Sequence, residues 1–246
     1  MHSGSDMIRA SLFFGAFAML VVGCGSDVET QGGGGEGGSG AASTGGGGTG
    51  GSSSCSTFAD ATSPGDLTLR FVNETVVDVY IPATCDDLQY TIQPAAGPDG
   101  NYYGNAFGTC SQSCDELQTA GQLLCDACLS TAYRIPAGEA LEVTWNQIAA
   151  HPTMMPSECW FEASGGTACN QAIAAPAGAY QIGVTVFDGC TGTDACTCDP
   201  GTGLCDGFAS GQESEVTPVA FGIPAAGPVE VVIEACTFGC PPQPGG

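Results

Sequence analysis

Lysine is absent, arginine occurs three times, and two histidines complete the basic residues, against 26 acidic side chains and a formal charge of −23. A surface so poor in cations gains little from phosphate backbones, because nucleic-acid binding depends on Lys and Arg releasing condensed counterions. The same balance disfavours adsorption to anionic lipid headgroups. Nucleic acid is thereby excluded as a partner. Catalytic signatures are scarce as well. Beyond the N-terminal segment the chain carries one histidine, His151, which leaves few bases to activate a nucleophile. There is no Gly-x-Ser-x-Gly elbow, zinc-protease histidine pair or phosphate-binding loop. With 22 acids after residue 54, any pair of carboxylates is uninformative as a glycosidase signal. The chain is read as non-enzymatic. Charged residues make up 12% and apolar ones 43%, so it is not an acidic disordered tail either.

What is present begins with an export signal. Residues 10–22 are apolar apart from Ser11 and Gly15, and Arg9 precedes them. That run falls short of the about 20 apolar residues a membrane span needs. Its length and flank suit a signal peptide over residues 1–23. Asp6 and no Lys or Arg stand before Met7, which favours Met7 over Met1 as the start. The run closes on Leu20-Val21-Val22-Gly23-Cys24. This ending resembles the lipobox of bacterial lipoproteins, with Val21 where Leu is usual. The resemblance implies acylation (palmitate among the chains) at Cys24, which would become the first residue of the mature protein. Gly25, in place of an Asp, implies the outer membrane of a Gram-negative bacterium. Residues 24–54 continue as a Gly/Ser/Thr-rich tether that cannot bury apolar surface. About 30 such residues reach roughly 30 Å, taking 5–6 Å times the square root of length. Several acyl chains at one end would hold a folded domain, residues 55–246, stably on a membrane.

Setting Cys24 apart leaves 14 of 15 cysteines, an even number, in an exported chain where structural disulfides persist. Cys110, Cys114, Cys125 and Cys128 flank residues 115–124, which include good helix formers. On helices, Cys110 with Cys114 and Cys125 with Cys128 each share a face. The expectation is a helical hairpin stapled by nested bridges, Cys110–Cys128 and Cys114–Cys125, similar to the twin-cysteine hairpins of small secreted proteins. Zinc on these four thiols and a redox Cys-x-x-Cys at 125–128 are the competing readings. Cys159, Cys169, Cys196 and Cys205 are further disulfide candidates. Residues 190–205 are rich in Gly, Pro, Asp and Thr, and so form a loop ordered by bridges. Asp188, Asp194, Asp199 and Asp206 match no calcium repeat and are read as turn formers.

Between the cysteine inserts, apolar residues alternate at Leu67, Leu69 and Phe71, and at Val77, Val79 and Ile81. The pattern returns at Leu141, Val143 and Trp145, and at Ile182, Val184 and Val186. It closes with Val219, Phe221 and Ile223, then Val229, Val231 and Ile233. Period-two patterning with Pro and Gly between the segments is the signal of many short half-buried strands. Ile135-Pro136-Ala137-Gly138-Glu139 precedes a strand ending in Trp145, and Pro176-Ala177-Gly178-Ala179-Tyr180 precedes another over 181–187. Residues 133–187 thus resemble bacterial immunoglobulin-like sandwiches, the intracellular-proteinase-inhibitor-like domain among them. The resemblance implies a mainly β, immunoglobulin-like antiparallel sandwich, here with a disulfide-stapled helical hairpin insert and disulfide-rich loops.

His151, Met154, Met155 and Trp160 form the one cluster with soft-metal ligand types. Copper chemistry of the blue type needs a second histidine, so the reading preferred is a Pro-bounded loop whose methionines pack beneath Trp160. No cofactor or metal is assigned. The expectation for the whole is a membrane-anchored lipoprotein displaying a binding or structural module to a protein or other extracellular ligand. The alternative is a secreted protease inhibitor or a periplasmic copper-handling protein. Mass spectrometry of the unreduced, alkylated mature chain should find no alkyl group on any of the 14 cysteines. Alkylation of Cys110, Cys114, Cys125 and Cys128 together, or stoichiometric zinc, would overturn that expectation.

Overall fold

The computed structural model describes residues 55–108, 111–121, 128–161, 168–192 and 196–239. They form a mainly β fold: β1 (Leu67–Asn73), β2 (Val79–Thr84), β3 (Asp87–Leu88), β4 (Thr91–Pro94), β5 (Ser130–Ile135), β6 (Ala140–Trp145) and β7 (Ile148–Met154), then β8 (Ala168–Ala174), β9 (Gly178–Gly183), β10 (Thr185–Thr191), β11 (Leu204–Cys205), β12 (Phe208–Glu215), β13 (Val219–Ile223) and β14 (Val229–Ile233). One α-helix, α1 (Cys114–Thr119), lies between β4 and β5. The signal peptide, Cys24 and the tether fall outside the described residues.

β1 shows how alternation makes this fold. Leu67, Leu69, Phe71 and Asn73 are buried while Thr68, Arg70 and Val72 are half-buried, because successive side chains of a strand leave on opposite faces. β1 pairs antiparallel with β6 and parallel with β14. A second sheet runs in the order β11-β5-β2-β10-β12, with β3 added to β2, and a third runs β13-β9-β4. These sheets share one core, which includes Phe71, Val79, Ile81, Trp145, Ile182, Val186 and Val231. Burial of each such side chain contributes about 1.5–3 kcal/mol. The result is sandwich-like. β7 and β8 form a separate ribbon.

The expected strands at 67–71, 141–145, 219–223 and 229–233 coincide with β1, β6, β13 and β14. Two readings need correction. The pattern over 181–187 is two strands, since β9 and β10 part at Val184 and enter different sheets. The first four residues of the supposed loop at 151–160 belong to strand β7, paired residue by residue with β8. β5, β7, β8 and β12 carried no alternation in the sequence. β12, Phe-Ala-Ser-Gly-Gln-Glu-Ser-Glu, is a solvated edge held by β10. Its ladder is broken by a bulge at Asp188, whose carboxylate Oδ1 accepts from the Gln212 amide at 2.7 Å. Gly211 there has φ +93°, and a Cβ would collide with Asp188, so only glycine fits.

Of the expected helical hairpin only the first helix lies in the described residues, since residues 122–127 fall outside them, and its bridging is corrected. α1 is only six residues long and is capped by a Ser113–Glu116 capping box, as short helices require. Its Cys114 faces β8 and bonds to Cys169, and Cys128 bonds to Cys85. The nested bridges therefore do not form. Cys110 and Cys125 lie outside the described residues. α1 packs on a second small core of Cys114, Leu117, Met155 and Cys159, with Phe58 and Trp160 against it.

Asn73 closes one end of the sandwich. Fully buried, its Nδ2 donates to Val77 O at 2.8 Å and to Ile135 O at 2.9 Å, while its Oδ1 accepts from Thr75 N at 2.9 Å. One side chain so ties β1, the β1–β2 loop and the end of β5. Truncation would strand buried carbonyls and an amide. Asn73→Ala should lower the unfolding free energy by about 2–3 kcal/mol in urea titration; a change below about 0.5 kcal/mol would show that water replaces the amide without loss.

Candidate functional site

β9 and β10 are one run of chain that changes sheet at Val184, and β12 and β13 do the same at Val216. The two runs travel together, since β12 pairs with β10 and β13 with β9. Their joint crossing is tied by Val216 N donating to Val184 O at 3.0 Å. On the other side the neighbour of the run changes: β9 lies against β4, whereas β10 meets β2 only at Phe187 and Tyr80. The gap between those partners is a cleft of about 620 Å³. Its apolar walls are Pro82, Tyr90, Val184 and Pro218. Its polar lining is Gln89, Thr91, Thr185, Glu215 and Thr217.

Gln89 and Tyr90 also wall a second depression of about 510 Å³, whose lining includes Tyr102, Tyr103, Asn105 and Asn170. Tyr90 is therefore the ridge between two hollows. Its ring lies 6.0 Å from that of Phe71, and its hydroxyl donates to Asn105 Oδ1 at 3.1 Å. Gly104, at φ +78°, lets the backbone pass the ring where a Cβ would stand 3.0 Å away. Burial pushes the Tyr90 phenol above its ordinary range, and the Asp87 charge adds to this. Burial first, with a hydrogen bond to Asp99 second, does the same for Tyr103.

The residues singled out from sequence lie elsewhere. Cys159 bonds to Cys55, Cys169 to Cys114, Cys196 to Cys190 and Cys205 to Cys198. Cys236 is disulfide-bonded too. The Sγ atoms of Cys190, Cys196 and Cys205 lie within 4.8 Å of one another, but all three are oxidised in bridges, and zinc takes thiolates. His151 is exposed on β7, with Nδ1 2.8 Å from Asn101 Oδ1. Met155 is fully buried in the second core, and the Trp160 indole donates to its carbonyl at 3.2 Å. Met154 is 64% exposed instead of lying beneath Trp160. Three residues on from His151 in a strand, it belongs to the opposite face. Asp199 Oδ1 accepts from the Gly201 and Thr202 amides, and Asp206 Oδ1 from Thr197 N. These carboxylates serve turns. Asp194 lies outside the described residues.

Of the cleft residues only Val184 stood out in the sequence, and as an alternating strand residue. Threonines, a glutamine and prolines form no motif; the one available signal was proline inside strand-like runs, which marks an unpaired edge. The cleft holds one carboxylate, Glu215, and no histidine, cysteine or cation. Such a set binds polar and apolar groups but supplies no base–nucleophile pair. No known protein family, curated protein or solved structure matches the chain.

Tyr80, Tyr90, Tyr103, Tyr133 and Tyr180 all have phenols raised by burial as the first cause. A phenol whose folded pKa exceeds its unfolded value binds more protons when folded. Its stabilisation is full below the unfolded value, near pH 10, and is lost as pH rises toward the folded value. Stability should therefore fall above about pH 10, with phenolate absorbance at 295 nm rising together with loss of the β circular-dichroism signal. Simple titration of five tyrosines near pH 10 with the fold intact would contradict this.

Proposed function

We propose that this chain is a non-enzymatic lipoprotein that displays its β domain as a binding module outside the cytoplasm. One observation carries the compartment: bridges such as Cys55–Cys159, Cys114–Cys169 and Cys85–Cys128 span 104, 55 and 43 residues. Long loops closed in this way belong to oxidising surroundings, because cytosolic thiols are kept reduced. Among the described residues no helix is long and apolar enough to cross a membrane. Attachment in this reading falls to Cys24, at the end of the lipobox-like segment, with residues 25–54 as the flexible spacer. Gly25 favours the outer membrane.

The module is read as immunoglobulin-like. Support comes from the Tyr180 hydroxyl, which donates to Pro176 O at 2.7 Å, the geometry of a tyrosine corner. Trp145, 1% exposed, packs edge-on to Phe221 with ring centroids 6.5 Å apart. β14 departs from the usual plan by adding parallel to β1. A cleft without a catalytic set, on a rigid sandwich at the end of a tether, suits capture of an external ligand.

Cys24→Ala should abolish metabolic labelling with palmitate and move the protein from the membrane to the soluble fraction. Labelling that survives the substitution would sink the anchor.

A further inference from the structure

We infer that the cleft at the sheet switch binds a neutral oligosaccharide built of hexoses. The inference rests on reading the domain as a displayed binding module and names the ligand for it.

The backbone supplies the first argument. The Val184 carbonyl is turned toward Val216, and successive peptide groups of a strand leave on opposite edges. The Thr185 amide and carbonyl therefore face the cleft, where β10 has no ladder partner until Phe187. A sheet that divides in this way presents a donor and an acceptor side by side to whatever fills the gap. A peptide strand is a poor occupant, because Pro82 and Pro218 on the walls have no N–H to offer a ladder.

Charge narrows the class further. No cation lines either hollow, while Glu215 lines the first and Asp87 the second. Phosphates, sulfates and uronic acids would meet only negative charge. Thr91, Thr185 and Thr217 bring hydroxyls that both donate and accept, and Gln89 brings a carboxamide. That pattern matches a ligand whose own hydroxyls do both. The Tyr90 ring and the two prolines add flat apolar faces for the C–H face of a sugar ring. The cleft volume of about 620 Å³ falls within the range of small-ligand sites. Beyond Tyr90, the lining of the second hollow includes Tyr102, 61% exposed, an aromatic platform for a further ring. Two hollows divided by one ridge fit a short chain of sugars better than a single compact molecule.

The test is calorimetric titration of the full chain in detergent, bridges intact, with cellohexaose, maltohexaose, laminarihexaose and mannohexaose. Oligogalacturonate and a proline-rich decapeptide serve as comparators. At least one neutral hexasaccharide should bind with Kd below about 1 mM, and oligogalacturonate should not. Thr217→Trp, filling the cleft from an exposed position, should weaken binding about tenfold or more at unchanged melting temperature. If that variant melts early, Gln89→Ala, which removes the exposed carboxamide from the cleft lining, makes the same test. Tyr102→Ala should weaken the hexasaccharide by a smaller factor and leave a disaccharide unaffected. Failure of all four glycans to bind would overturn the inference. So would binding untouched by the cleft variants, or a decapeptide that binds in their place. Membrane fractionation reports the anchor separately. A palmitate-labelled, membrane-held chain that binds no glycan defeats this inference alone, whereas a soluble chain that binds one defeats only the anchor.

Discussion

At Val184 and Val216 two adjacent strand runs leave one sheet and enter another, and the hydrogen bond between those residues keeps them paired through the crossing. Much of the architecture follows from that joint step. Two sheets are held in one body without a separate linker, and their inner faces meet the β14-β1-β6 sheet on a single core. Both valines are themselves buried, so the crossing is anchored by apolar contact as well as by its hydrogen bond. The cost is a divided edge. A run that changes partners leaves some peptide groups without a ladder, and buried peptide groups demand partners. The cleft opens where that demand goes to solvent or to a ligand. Fold and candidate site are thus two consequences of one event.

Disulfides act at the periphery of this core. Cys55–Cys159 and Cys114–Cys169 tie the N-terminal turn, α1 and β8 to the small second core. Cys190–Cys196 and Cys198–Cys205 hold a loop whose remaining order comes from aspartates accepting backbone amides. Such segments bury too little apolar surface to offset their own chain entropy. Covalent closure lowers the entropy of the unfolded chain, commonly by about 2–4 kcal/mol per bridge. The sandwich core has enough Val, Ile, Leu and aromatic side chains to fold by burial. The inserts do not.

The charge deficit has a structural face too. Arg70 sits at the centre of β1 between Glu230, 3.1 Å away, and Glu142, 3.5 Å away, its cross-strand neighbours on either side. Arg134 lies 3.8 Å from Asp78. Both described cations are thus spent on acids, and exposed pairs of this kind add little stability. What they do is remove the only positive points on the domain. The remaining surface is of one sign, which maintains solubility and repels anions.

Strand existence was legible wherever one face of a strand is buried, because burial of alternate residues writes period two into the chain; β1, β6, β13 and β14 could be read in this way. The even cysteine count and the turn-forming aspartates were equally local facts. β7, β8 and β12 were hidden, since ribbon and edge strands are held by backbone pairing, which leaves no mark on side-chain type. The pairing of Cys114 and Cys128 was misjudged for a related reason: helical spacing places sulfurs on one face but does not say what that face meets. Only the tertiary structure decided the break at Val184. A run of alternating apolar residues looks the same whether its hydrogen-bonding neighbours stay or change, because side chains report the core while ladder partners are chosen by the backbone.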